Sequence, residues 1–261
     1  MTATIAFVLL LASFSVQILF LFVQGKARDR FSHYLLLAVA LLLFLTTGLR
    51  SAGIGFFAVT NTFESLLFFS GVIALILFVY KHKAGSAAIP FVYFGATVVC
   101  MTLLAVASSP NIPKEALPPI PALRSHWLVL HVSFSFVGEA FFALAFAASL
   151  YYLAAGDRDN KRRADRVAYT SIAIGYPVFT AGALIFGAVW AQYAWGRYWA
   201  WDPKETWALV TWVVYTAYLH VRFTARNREG AAAVLAVLGF CFTMFTFFGV
   251  NYLLPSLHSY R

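Results

Sequence analysis

The sequence predicts an all-α polytopic integral membrane protein with about eight transmembrane helices and both termini outward. Three observations carry this. Of 261 residues, 62% are hydrophobic and only 11% charged, about half the charge of a soluble domain and more apolar surface than one such core buries. Apolar runs near the roughly 20 residues that cross a bilayer recur from end to end without a long polar interruption, so residues 1–261 read as a single transmembrane domain. Lysine and arginine fall unevenly between alternate connections, as in chains oriented by the positive-inside rule.

The spans lie near residues 3–23, 33–50, 62–80, 88–107, 127–154, 168–190, 206–223 and 232–254. The first reads as an anchor and not a cleavable signal, because no basic segment precedes it and no small-residue cleavage site follows. "NTFE" at 61–64 opens the third: Asn61 suits the N-cap, and Glu64, at the third helical position, can return a bond to the cap. After the fourth span the proline-rich stretch "SSPNIPKEALPPIPALRS", 108–125, argues for an extended loop. "DPKE" opens the seventh with Asp202 as cap, Pro203 at the first position and Glu205 at the third. Asp202, Glu205, Asn61 and Glu64 are therefore read as structural caps and not as catalytic carboxylates. Pro255 ends the eighth span.

Orientation follows from the basic residues. One set of connections holds Lys26, Arg28, Arg30, Lys81, Lys83, Arg158, Lys161, Arg162, Arg163, Arg166, Arg222, Arg226 and Arg228, thirteen in all; the other holds six, Arg50, Lys114, Arg124, Arg197, Lys204 and Arg261. The thirteen are inside. The net charge of +9 is then a topological bias that calls for membrane lipid and no nucleic-acid partner. Cys100 and Cys241 stand alone within spans, without C-x-x-C or zinc spacing, and read as packing residues. No repeat of 20 to 50 residues and no nucleotide-binding glycine motif is present.

"YAWGRYWAWDPKETWALVTW", 193–212, holds five of the seven tryptophans. Indoles and phenols collect at membrane interfaces, but Trp190, Trp195, Trp199, Trp201 and Trp207, with Tyr193 and Tyr198, are denser than a belt requires. A rigid aromatic platform for a large, planar, apolar ligand accounts for them better. His126 and His131 open the fifth span; five residues apart, they point about 140° away from each other, so one site takes only one of them. His258 follows the eighth span on the same outer side. Either these membrane-end histidines are satisfied interfacial residues, or two neutral imidazoles hold a haem iron axially, with the porphyrin as the body the indoles suit. Arg124, Arg197 and Lys204, on the same side, are candidates for its propionates.

His220 lies roughly 20 Å down the seventh span. It is either a helix-end residue meeting the dipole or part of a deeper metal or haem site. Glu139, two turns below His131, either bonds a ligating histidine or pairs with a neighbouring helix. His33 and His82, at inner ends of spans beside Arg or Lys, read as solvated or headgroup-facing.

"WGRYWAWDPKETWAL" closely resembles the WWD signature of membrane haem-handling proteins. "NTFESLLFF", "SHWLVLHVSFSF", "VVYTAYLH" and "GVNYLLPSLHSY" resemble, in order, the other marked segments of the CcsA (ResC) family of cytochrome c biogenesis. The likeness covers 61–261, with the WWD segment, 190–207, on the outer face. It implies a subunit of the system II cytochrome c synthase, working with a CcsB (ResB) partner on haem b and apocytochrome c in a bacterial plasma membrane or a thylakoid-type membrane. It places outer iron ligands at His131 and His258 and a membrane ligand at His220, whose mate belongs to CcsB. Each thiol of a C-x-x-C-H substrate would add across a haem vinyl group, so the protein's part is binding and orientation, and no side chain acts as a nucleophile.

Pro255 and Ser256 stand where the family pattern has glycines, and the first sixty residues carry little of the likeness. A system I haem-delivery protein is the nearest alternative; eight spans and the "AYLH" and "LHSY" histidines favour CcsA, and copurification with a CcsB-like protein discriminates the two. A bis-haem quinol oxidoreductase would need paired histidines within the bilayer, where only His220 lies deep. A transporter for another amphipathic ligand would show no Soret band.

Overall fold

The computed structural model describes residues 1–23, 29–224 and 228–254. Expectations resting on Lys26, Arg28, Arg226, Pro255, Ser256, His258 and Arg261 lie outside the described residues. The elements are α1 (Thr2–Ile18), α2 (Ser32–Ile54), α3 (Thr62–Ala84), α4 (Pro90–Ser108), α5 (His126–Ala154), α6 (Arg158–Phe179), α7 (Gly187–Trp195), α8 (Pro203–Thr224), α9 (Glu229–Met244) and α10 (Val250–Leu253). π-Helical turns at Leu19–Val23, Thr180–Phe186 and Phe245–Gly249 extend α1, join α6 to α7 and join α9 to α10. No strand occurs among the described residues.

Among the described residues, seven helices are long and apolar enough to cross a membrane, which makes this an all-α, multi-pass membrane protein. The helix expected over 206–223 is present as α8, with 22 residues. It has the length of a crossing helix but a more polar composition, because Lys204, Glu205, His220 and Arg222 stand near its ends. The sixth helix begins ten residues before its apolar run. Asp157 caps it, accepting from the Asn160 N–H at 3.0 Å, so the basic stretch from Arg158 is already helical.

The chain packs as two compact units, Met1–Pro119 and Ile120–Arg261. In the first, α1 to α4 pack with their sequence neighbours and α1 also meets α4. Lipid offers no hydrophobic drive between helices, so small residues and buried hydrogen bonds do the joining. Gly71 lets α3 approach Leu43 and Phe44 of α2. Gln17 donates to the Thr97 hydroxyl at 3.1 Å across α1 and α4. The Arg50 guanidinium pairs with Glu64 at 3.0 Å and also donates to the carbonyls of Lys114 and Glu115, both at 2.9 Å. It thereby ties α2 and α3 to the loop that follows α4. Glu64 accepts the Thr60 N–H at 3.1 Å while Asn61 caps the Glu64 N–H at 2.9 Å. With its other oxygen committed to Arg50, the carboxylate reaches Thr60 and not the cap residue itself.

In the second unit α5 is the central element, packed on α6, α7 and α9, with α8 on α9. The α5–α6 contact is made backbone to backbone through glycines. A Cβ on Gly138 would meet the Phe179 backbone nitrogen at 2.7 Å and its Cα at 2.8 Å, and one on Gly175 would meet the Gly138 carbonyl at 2.8 Å. Farther along, Phe142 stacks on Tyr215 at 3.8 Å, and Phe146 lies 4.7 Å from Phe240. Arg222 pairs with Asp165 at 2.8 Å and lies over Tyr169, joining the far ends of α8 and α6.

Candidate functional site

Pro177 sits inside α6 and removes one backbone donor, and the π-helical turn opens three residues later. The strain is met locally. The Thr180 hydroxyl donates to the Tyr176 carbonyl at 2.7 Å and accepts the Trp212 indole N–H at 3.0 Å, while the Tyr176 and Thr216 hydroxyls lie 2.7 Å apart. The π turn is thus fastened to α8.

Its consequence is felt on α5. Within the turn, the Gly187 N–H donates to the Gly182 carbonyl, the five-residue step of a π-helix. The same carbonyl faces His131, whose Nδ1 lies 2.9 Å from it. A carbonyl oxygen only accepts, so Nδ1 carries the proton, and in the neutral ring Nε2 carries the lone pair. Both glycines are required by this contact. A Cβ on Gly187 would stand 2.9 Å from Nδ1 of His131 and 3.1 Å from its Cε1, and one on Gly182 would run into the backbone of Phe134 and Ser135. His131 therefore sits in a notch between two glycines five residues apart.

Trp190 closes the notch. It is 1% exposed, its ring lies within 8° of parallel to His131 at 5.8 Å, and its indole N–H donates to the Ala122 carbonyl at 3.1 Å. Leu123 and Leu128 bury it, and Trp195 packs edge-on at 4.8 Å. A hydrogen bond along one edge and an indole against one face fix the imidazole in both position and rotation.

The rest of the aromatic segment is more open. Gly196 ends α7 in the left-handed conformation, φ 74°. Tyr193, Arg197, Tyr198 and Trp201 are exposed, as are Arg124 and His126 before and at the start of α5. Trp199 and Trp201 meet edge to face at 5.8 Å, so the indoles form two edge-to-face pairs and not one flat sheet. Trp201 is 71% exposed and holds φ 56°, a conformation that costs a bulky side chain on the order of 1–3 kcal/mol. The α8 cap fixes this bend: Asp202 accepts the Lys204 N–H at 3.1 Å, and Glu205 accepts the N–H groups of Ala200 at 2.7 Å and Asp202 at 3.3 Å. Trp207 lies below it against Phe242 and Phe245. The Trp199 indole N–H is buried without a hydrogen-bond partner.

His131, Trp190 and Trp195 are thus brought together, and Trp199, Trp201, Asp202 and Glu205 follow in one continuous bend. His220 is not part of this group. It is exposed, roughly 25 Å along the α8 axis from Pro203. Glu139 is 8% exposed with Oε2 lacking a partner. Lys204 is half-buried in the first turn of α8. Residue types alone do not mark Gly182 and Gly187 as site residues. The signal for them is weak: a proline within an apolar run followed by two glycines five apart.

The sequence profile of the cytochrome C assembly protein family matches residues 59–258. The chain is 34% identical to the cytochrome c biogenesis protein CcsA of Guillardia theta, across 82% of this chain and 79% of that protein. It is 34% identical to the CcsA protein of the cyanobacterium Parasynechococcus marenigrum, across 98% and 93%, and 32% identical to that of Pyropia yezoensis, across 89% and 87%.

Proposed function

We propose, from the premise that this chain belongs to the cytochrome c assembly family and within it to the CcsA cytochrome c biogenesis proteins, that it is the haem-presenting membrane subunit of a cytochrome c synthase. In this reading haem b is the cargo, apocytochrome c the acceptor, and a CcsB-like membrane protein the partner. The observation that carries it is the setting of His131, with Nδ1 held 2.9 Å from the Gly182 carbonyl and the ring clamped on Trp190. An imidazole fixed in this way has its position and rotation set in advance, which is what an axial iron ligand must provide.

The surrounding residues suit a porphyrin. Trp199 and Trp201 supply aromatic surface, and the Trp199 indole N–H, buried without a partner, is a donor that a propionate oxygen would satisfy. Arg197 and Arg124, exposed at the same sequence segments, supply charge for the second propionate, with Lys204 at the helix start. His258 is the proposed second axial ligand. Haem brings the chemistry: each substrate thiol adds across a vinyl group, forming a C–S bond and delivering the proton to the neighbouring carbon, with no net transfer of electrons. The chain's own residues hold the ring, fix its rotation and present its vinyl edge, so the catalytic gain is one of orientation.

His220, exposed at the far end of α8, is the proposed ligand of an earlier site completed by the partner subunit. The WWD face is proposed to be outward, in a bacterial plasma membrane or a thylakoid-type membrane. Thirteen basic residues against six motivate that orientation. A reporter active only outside works when fused after Arg261 and fails after Asp159; the reverse pattern would put the WWD segment on the wrong face.

The reading is tested by absorption spectroscopy of the chain purified under haem-replete expression with and without its CcsB-like partner. A Soret band with the split α and β bands of low-spin, two-histidine ligation is expected in the complex. A colourless complex that still supports cytochrome c assembly would overturn it.

A further inference from the structure

The first unit contains a histidine pair that the haem-presenting function does not use. His33, in the first turn of α2, is 8% exposed, and its Nδ1 is buried without a hydrogen-bond partner. The ring of His82, near the end of α3, lies 6.0 Å from it at 40°. His82 is exposed, so the pair joins a buried imidazole to one at the surface. The sequence offers no reason to join them, since they lie forty-nine positions apart and each stands at the end of its own apolar run. The antiparallel pairing of α2 and α3 brings them together.

A buried imidazole nitrogen without a partner is costly in any protonation state. The acceptors nearby are already engaged. Asp29 accepts the N–H groups of Phe31 and Ser32, both at 3.0 Å, and also the Ser32 hydroxyl. The groups within electrostatic reach of His33 are Asp29 and Lys81, of opposite sign, and His82 itself. Lys81 is directed over the Tyr93 ring at 5.8 Å. A metal ion is a ligand that two neighbouring imidazoles can share. With metal–nitrogen bonds of about 2.0–2.1 Å, each ring centre stands roughly 3 Å from the ion, and two such rings span up to about 6 Å.

Phe78 decides which kind of metal. Its ring stacks 5.8 Å from His33 and 5.3 Å from His82. With the 6.0 Å between the imidazoles, the three centroids form a nearly equilateral triangle. Phe78 therefore stands beside the midpoint of the pair, in the plane that a porphyrin on a shared iron would fill. Tyr34, 4.1 Å from His33 and 6.2 Å from Phe78, narrows the same space. The centroid separation suits an ion without a macrocycle, and Phe78 stands where a porphyrin would lie.

We propose that His33 and His82 form a two-imidazole site for a bare first-row transition-metal ion of the zinc or copper class, separate from the haem path. Imidazole nitrogen suits these metals. Among the described residues no group of three or more His, Cys, Asp or Glu surrounds a metal position. Water completes the coordination, and the ion exchanges readily.

The test is equilibrium dialysis of the purified full chain against Zn(II), with His33→Ala, His82→Ala and the double variant beside it. Haemin titration of the same four proteins by absorption runs in parallel. One zinc equivalent is expected to disappear, or to weaken at least tenfold, in each single variant, with no further loss in the double. Haemin binding is expected to be the same in all four. Because His33 is buried, His82→Ala, at an exposed position, is the variant whose fold is least at risk, and His33→Gln supplies a second probe of the buried side. Equal zinc binding in wild type and His82→Ala overturns the proposal. Zinc loss in His82→Ala with retention in both His33 variants reduces the site to a surface histidine and overturns the pair. Loss of haemin in place of zinc overturns the exclusion of porphyrin by Phe78. None of these outcomes depends on the outer haem site, which is read separately by the Soret band.

Discussion

Replacing His131 by glycine stops cytochrome c maturation in cells, with a fall of more than about tenfold, and added imidazole restores a part of it. The expectation follows from the notch. The glycine substitution removes the ring and leaves a space bounded by Gly182, Gly187 and the face of Trp190. A small imidazole can enter that space, donate one N–H to the Gly182 carbonyl as His131 does, and turn its other nitrogen outward. Rescue is partial because the added ring must give up its freedom, whereas His131 is already held. The same substitution at His258 serves as the companion measurement. Normal maturation in both variants would remove the two-histidine site. Loss at His131 without any rescue would indicate that the ring acts by packing.

The fold was largely legible because crossing a membrane imposes a demand the sequence must meet openly: long apolar runs, each with its backbone bonded internally. All eight runs coincide with helices. Where the runs and the helices differ, hydropathy was reading lipid exposure and not hydrogen bonding. The sixth helix continues through Arg158–Phe179 because a basic amphipathic segment with an Asp157 cap is as good a helix as an apolar one. Caps such as Asn61 and Asp202 involve residues two or three apart, so spacing alone displays them.

The site is a different matter. A π turn differs from an α turn by a single backbone register, and nothing in "TAGALIF" distinguishes the two. The Gly182 carbonyl becomes a partner of His131 only when α5 and α6 lie close enough for glycine to be required, a tertiary fact. Trp190 illustrates the same limit. Composition groups it with the other indoles, whereas the structure buries it behind the histidine, bonded to the Ala122 carbonyl, with Trp201 out in the open. His33 and His82 could not be joined from sequence for the same reason.

Gly182→Ala is expected to abolish maturation as completely as the loss of His131, but through the scaffold, so imidazole will not restore it. The added Cβ would press on the Ser135 N and would lie 2.6 Å from the Phe134 carbonyl carbon. These are backbone atoms of a helix, and no rotamer change relieves the contact. α5 and α6 must move apart, which also strains the close contacts at Gly138 and Gly175 farther along the same interface. Overpacking of a well-packed interface costs about 1–3 kcal/mol, and a clash against backbone belongs at or above the upper end. Gly187→Ala provides the contrast. Its Cβ would press on the His131 ring alone, at 2.9 and 3.1 Å, with the Gly182 carbonyl at an ordinary 3.8 Å, and a side chain can yield by a few tenths of an ångström. That variant should fold at near-normal levels, keep its melting temperature in detergent and bind haem with an altered spectrum, because the ring is displaced from the Gly182 carbonyl. Membrane abundance, thermal melting and the Soret band separate the two. If Gly182→Ala accumulates, melts and matures cytochrome c as the unmodified chain does, the close packing of α5 against the π turn is wrong, and the anchoring of His131 falls with it.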